Sequence, residues 1–139
     1  LYNIITGYGD VTRYMQKDIA FIVCGVHRLI DIGAEWCFTD GHAIKAITKY
    51  YNSLDDIGKL DWNAIRSTYW NNTETDMDRQ RKKMSEFLVR NHVPVETIRF
   101  VVVHNEETKA FVESLCEKIG IGLAVIIDVK NRLYYSNYD

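Results

Sequence analysis

Two segments of this chain carry side chains whose types and spacing are suited to chemistry. In Asp78-Arg79-Gln80-Arg81-Lys82-Lys83-Met84-Ser85-Glu86-Phe87-Leu88-Val89 a cationic run leads into an apolar stretch, read as a strand, with a single carboxylate, Glu86. A carboxylate is expensive to bury without a partner, so this one fits a cleft in which it has work to do. A plain structural reading stands beside it: the run is a solvated face and Glu86 an outward strand position. In Phe38-Thr39-Asp40-Gly41-His42-Ala43 the imidazole falls in the first turn of an expected helix, at a strand-to-helix junction where backbone N–H groups face anions. Here the structural alternative is simple capping of that helix by Asp40. Spacing alone leaves both alternatives open.

Other chemistries find no support. Gly7 and Gly9 form only a GxG, with no phosphate-binding helix start behind them, which sets aside P-loop and dinucleotide-fold readings. His27, His42, His92 and His104 are too scattered for a metal motif, and no metal is expected. No G-x-S-x-G elbow is present, and no Ser or Cys has the context of a nucleophile. The acidic residues do not cluster with a lysine as a metal-dependent nuclease requires. Cys24, Cys37 and Cys116 are odd in number, far apart and without a CxxC, so reduced thiols are expected.

The elements that must position Glu86 and His42 belong to a chain of 139 residues, 47% apolar and 26% charged, with 17 Lys+Arg against 19 Asp+Glu. These values describe one globular domain, residues 1–139, and exclude a strongly basic or acidic tail. The apolar runs Ile19 to Val26 and Leu123 to Ile127 fall short of the ~20 residues that cross a bilayer, so a soluble, cytoplasmic protein with no membrane partner is expected. The chain opens at Leu1 without an initiator Met and reads as a piece of something longer.

Asp18–Val26 is apolar and β-branched on both faces, which predicts a buried central strand, and Trp36–Thr39 a shorter one. Asp40 and Gly41 precede Ala43, Ile44, Ile47, Tyr50 and Tyr51 at helical spacing, predicting a helix that ends near Asn52. Ser53–Asp56 and Asp61–Ile65 read as two short helical starts, and 71–78 as an exposed loop. Met84–Val89 is read as a strand broken by Pro94. Arg99–His104 is a strong strand, followed by a helix capped at Asn105, striped by Phe111, Val112, Leu115, Cys116 and Ile119, and stopped at Gly120. Leu123–Ile127, a turn at Lys130-Asn131-Arg132 and Leu133-Tyr134-Tyr135 complete a mixed α+β fold.

Taken together, Phe38–Ala43, then Tyr50-Tyr51-Asn52-Ser53-Leu54 with Leu60-Asp61-Trp62, and finally Asp78–Lys83 running into Ser85–Val89 resemble the DarT family of DNA ADP-ribosyltransferase toxins. Their order and spacing agree with that family over essentially the whole chain, which is more specific than any one motif. The resemblance implies transfer of ADP-ribose from NAD, a co-substrate, to a base of single-stranded DNA, usually thymine. It further implies the toxin role of a toxin–antitoxin pair, countered by a DarG-like macrodomain antitoxin. It carries the split, mixed ADP-ribosyltransferase fold related to the poly-ADP-ribose polymerases. Glu86 matches the family's catalytic glutamate and His42 an active-site histidine. The stretch from about Asn71 to Lys83 matches the substrate-recognition loop, which places Arg79, Arg81, Lys82 and Lys83 near DNA, with Tyr69 and Trp70 offering stacking surfaces.

Family members carry, ahead of the residue matching Leu1, a further segment with an NAD-binding histidine, so the likeness is to the C-terminal two-thirds and most NAD contacts are expected outside this chain. The competing expectation is a catalytically silent remnant that binds single-stranded DNA or the antitoxin without chemistry.

Overall fold

The computed structural model describes residues 1–130 and 132–136. Its strands are β1 (Phe21–Cys24), β2 (Trp36–Thr39), β3 (Tyr50–Tyr51), β4 (Phe87–Val89), β5 (Ile98–Val103) and β6 (Ala124–Ile127). Its α-helices are α1 (Tyr2–Thr6), α2 (Val26–Asp31), α3 (Trp62–Arg66), α4 (Arg79–Lys83) and α5 (Glu106–Lys118). They divide into two compact units, one formed by Leu1–Arg28 with the residues from Pro94 onward, the other by Leu29–Val93.

The first unit holds a sheet of order β1-β5-β6, antiparallel between β1 and β5 and parallel between β5 and β6. Parallel neighbours need a long crossover, and α5 supplies it. The helix begins where expected: Asn105 Oδ1 accepts the Thr108 amide at 2.9 Å, with Glu106 and Glu107 in the first turn. It stops at Gly120, whose φ of 71° only glycine adopts freely, while the Ile121 amide returns to the Cys116 carbonyl at 2.9 Å. Of the expected stripe, Val112 packs on the buried Val101, Val103 and Val125, with Cys116 half-buried, whereas Phe111, Leu115 and Ile119 are exposed.

One expectation for this unit is corrected. β1 is not the central strand: among the described residues it pairs only with β5, and Ile22 on its outer side is exposed. The centre belongs to β5, which has partners on both edges. The amides of Leu133, Tyr134 and Tyr135 are taken up by side chains. Those of Leu133 and Tyr134 go to Asp128 Oδ2 at 2.6 and 3.1 Å, and that of Tyr135 to Gln16 Oε1 at 2.7 Å. Of the turn expected before Leu133, Asn131 lies outside the described residues.

The second unit holds the antiparallel sheet β3-β2-β4. Phe38 pairs with Tyr51 on one side and Phe87 on the other, while Trp36 pairs with Val89. Alternation along β2 puts Trp36 and Phe38 on one face, where their rings form a ladder: Trp36 stacks on Phe87 at 5.2 Å and Phe38 on Tyr51 at 5.3 Å. Phe38 is buried there. A 3-10 helix over Leu54–Lys59, opened by Ser53, and α3, capped by Asp61 Oδ1 on the Ala64 amide at 3.0 Å, form as expected.

The helix expected after Gly41 does not form; residues 40–49 make a loop that ends in β3. Its would-be apolar stripe stays in solvent, with Ile44 80% and Ile47 68% exposed. Asp40 spends its carboxylate on the Lys49 amide at 2.9 Å, not on a first-turn amide. Tyr50 and Tyr51 gain a strand partner in β2, which suits aromatic residues better than an exposed helix face. The basic run, conversely, is a short helix, α4, ahead of β4.

Candidate active site

Within the second unit, Glu86 stands immediately before β4 and Thr39 ends β2, so the sheet brings the two side by side. The Thr39 amide donates to the Glu86 carbonyl at 2.9 Å, and the Glu86 amide donates to Thr39 Oγ1 at 3.0 Å. Thr39 is fully buried, and its hydroxyl proton goes on to the Gly41 carbonyl at 2.7 Å. One buried hydroxyl thus joins the backbone of the acidic residue to the loop that carries the histidine.

From that loop the Ala43 amide donates to Glu86 Oε2 at 3.2 Å. His42 Nδ1 lies 4.0 Å from the same oxygen, too far for a hydrogen bond, and is buried without a hydrogen-bond partner. The Glu86 side chain is 41% exposed, so its carboxylate is anchored yet open to a visitor. These two side chains stand together, and the histidine sits in a loop and not at a helix start.

The loop is tied at both ends. The Asp40 amide reaches the Lys49 carbonyl at 3.2 Å, and the Lys45 amide and Thr48 hydroxyl both donate to the His42 carbonyl, at 3.0 and 2.8 Å. Tyr50 donates its phenol to the Ala43 carbonyl at 2.5 Å.

The basic run packs against this loop, and its charges have partners inside the unit. Arg81 is only 13% exposed. Its Nη2 and Nε lie at 2.6 and 2.9 Å from Asp78 Oδ2, and its Nη1 at 2.8 Å from Asp40 Oδ1. The hydrogen bonds to Asp78, followed by those to Asp40, hold the guanidinium above its ordinary value. Lys82 Nζ sits between Asp61 Oδ2 and Asp76 Oδ1, at 2.9 Å from each, and both carboxylates raise its affinity for the proton. Lys83 Nζ donates to the carbonyls of Ala64, Ile65 and Ser67 at the end of α3 and lies 4.8 Å from the Trp70 ring. Burial, aided by the charge of Arg79, pushes its pKa down. Arg79 Nε stands 3.6 Å from Asp76 Oδ2 without a hydrogen bond. Tyr69 and Trp70, between α3 and the loop, are exposed.

Sequence reasoning singled out Glu86 and His42, and missed Thr39, Asp40 and Thr48 as their supports. Hydroxyl and carboxyl residues between two apolar runs were the available signal, but their partners lie about forty positions away. Among the described residues no group of three His, Cys, Asp or Glu is placed to hold a metal ion. Among the described residues no helix is long and apolar enough to cross a membrane.

Comparison with known proteins bears on what such a site acts upon. Residues 1–135 match the family model described as ssDNA thymidine ADP-ribosyltransferase, DarT. A DNA ADP-ribosyl transferase of Mycobacterium tuberculosis is 33% identical over 108 residues, which are 77% of this chain and 46% of that protein. The chain thus spans about half the length of the curated relatives it matches. DarT of Thermus sp. 2.9 in complex with NAD+ superposes with a TM-score of 0.81 at 24% identity, over 96% of this chain and 66% of that one. The same protein in complex with ADP-ribosylated ssDNA gives 0.84 at 23% identity, over 96% and 62%.

Proposed function

The chain belongs to the DarT family, and from that premise we propose that it acts in the NAD-dependent transfer of ADP-ribose to a base of single-stranded DNA, thymine by the family's description. The observation that carries this reading is the anchored, half-exposed carboxylate of Glu86 beside His42.

Breaking the bond between nicotinamide and ribose builds positive, oxocarbenium-like charge on the sugar. A carboxylate held against that sugar stabilises the transition state more than the ground state. Glu86 has one oxygen already engaged by the Ala43 amide, so its direction is set before substrate arrives, and reorientation costs little at the moment of reaction. Nicotinamide leaves neutral as the thymine ring nitrogen attacks C1′ of the ribose, and the imide proton passes to Glu86 or to a base beside it. His42, whose Nδ1 has no hydrogen-bond partner, is available to orient the base or the carboxylate.

A base outside a stacked duplex is the accessible one, which favours single strands. Tyr69 and Trp70 offer exposed rings, and stacking is worth roughly 1–3 kcal/mol per base. Arg79, Arg81, Lys82 and Lys83 lie beside the strand in this reading. Because Arg79, Arg81 and Lys82 are shared with Asp40, Asp61, Asp76 and Asp78, and Lys83 with the carbonyls at the end of α3, they shape the loop as much as they attract phosphate. The biological setting that goes with this activity is a cytoplasmic toxin restrained by a macrodomain antitoxin.

The test is mass spectrometry of thymine-containing and thymine-free single strands after incubation with the protein and NAD. One ADP-ribose gained by the thymine-containing strand alone is expected, with a loss of roughly 100- to 1000-fold in rate for Glu86→Gln. Equal labelling of both strands would overturn the choice of thymine. No adduct on either strand, from this chain or from a protein that also carries the family's further N-terminal segment, would overturn the transfer and favour a chain that binds DNA without chemistry.

A further inference from the structure

We propose that Arg81 is a positioning residue for Glu86, acting through Thr48 and one peptide plane, and that Gly41 is glycine because the guanidinium occupies the space of its side chain. The inference rests on the reading of Glu86 as the acting carboxylate.

The chain of contacts is short. Arg81 Nη1 donates to Thr48 Oγ1 at 3.2 Å, and the same hydroxyl donates to the His42 carbonyl at 2.8 Å. That carbonyl and the Ala43 N–H belong to one planar trans peptide, so fixing the direction of the C=O fixes the aim of the N–H. The N–H points at Glu86 Oε2, 3.2 Å away. On the other side of His42, its own amide donates to the Arg81 carbonyl at 2.9 Å. Both peptide groups flanking the histidine therefore report to Arg81, one through its side chain and one through its backbone.

The guanidinium cannot drift, because its fork is divided between Asp78 and Asp40. A lysine at this position would keep the charge but could not reach Asp78, Asp40 and Thr48 together. Gly41 completes the interlock. A Cβ there would stand 2.2 Å from Arg81 Nη1 and 2.8 Å from its Cγ. An arginine on the surface would swing aside, but one held by two carboxylates must break an ion pair to do so. Neither role could be read from the sequence, where Arg81 looks like one more cation of a basic run.

The experiment follows the Ala43 amide by NMR while Glu86 is titrated in the whole protein. In the wild type this amide shifts as the carboxylate is protonated, and in Glu86→Gln that shift is absent, which identifies the reporter. Arg81→Lys, Gly41→Ala and Thr48→Val are each expected to lose most of the shift, while the amides of β5 keep their positions. Thr48→Val removes only the hydroxyl relay, so it reads the proposal even where an arginine variant loosens the whole loop. Transfer kinetics run in parallel, with kcat expected to fall roughly 100-fold for a misaimed carboxylate, and with KM for DNA little changed in Thr48→Val, which leaves the basic run intact. Gly41→Ala added to Arg81→Lys is expected to cost little more than either alone. A full Ala43 shift in both Arg81→Lys and Thr48→Val would overturn the relay. Because the NMR reading needs no turnover, a wild type that fails to modify DNA would refute the proposed function and leave this result separately readable.

Discussion

The two units of this chain hold themselves together by different means. In the first, β5 and β6 bury Val101, Val103 and Val125 against Val112, Leu123 and Ile127, a contact of aliphatic side chains that carry no charge. In the second, strands of four, two and three residues are too short to bury much, and an aromatic ladder is joined by a web of Arg81, Lys82, Asp40, Asp61, Asp76 and Asp78. Aliphatic burial is indifferent to register by a few tenths of an ångström and to pH. A charge web is directional and titrates. The unit with the candidate site is the one whose geometry is set by directional bonds, as the positioning of a carboxylate requires.

The contrast can be broken most forcefully at Val103, which is fully buried. Val103→Ala is expected to cost about 2–3 kcal/mol of transfer and cavity energy, read by denaturant unfolding, with no dependence on salt. A salt-dependent loss would mean that the first unit also leans on charge.

The pH limits should separate the units next. The amide of Ala64, then Lys82, lowers the pKa of Asp61, and Lys82 that of Asp76, below the ordinary 3.8. A lowered carboxylate contributes stability above its unfolded value and loses it as pH falls through the lower folded one. Hydrogen exchange should therefore accelerate first in α3 and α4 on acidification below 3.8, ahead of β5. Asp128 is pushed up by burial but more strongly down by the amides of Leu133, Arg132 and Tyr134, so its turn follows the acid trend and is not the reference.

At the alkaline end the order reverses. Burial, then the charge of Asp128, raises the Tyr134 phenol from 10.0 to about 12, where its hydroxyl donates to the Ile19 carbonyl at 2.6 Å. A raised tyrosine contributes stability that is complete below 10.0 and disappears as pH rises through about 12. Tyr134→Phe should remove that alkaline loss from the first unit and leave the acid limit of α3 and α4 in place.

The smallest effect sharpens what counts as part of the web. Arg90 and Glu35 meet at 2.6 Å, but both side chains are about 70% exposed. Arg90→Ala is expected to change stability by less than about 0.5 kcal/mol, vanishing in high salt. A larger cost would extend the web to the far end of β4.

Much of this architecture was legible beforehand. The chain of β5, α5 and β6 follows from continuous apolar runs, an asparagine cap and a glycine stop, all local signals. Glu86 and His42 were legible as a pair only through the likeness of their surrounding motifs to one family, not from their spacing. The helix expected over 43–51 failed because its pattern of apolar residues has the right period but its tyrosines had a better partner in β2.

What the sequence determined by itself is what is settled within a few residues: where α5 starts and stops, that the runs of β5 and β6 are extended, and that Asp61 caps α3. What only the tertiary structure decided is which strand is central and what each charge of the basic run is for. Strand order depends on pairings between residues far apart, and Arg81 is interior because Asp40 and Thr48, some forty positions earlier, are folded onto it. A cation among cations carries no local mark of such a partner, since an ion pair is a matter of distance in space and not along the chain.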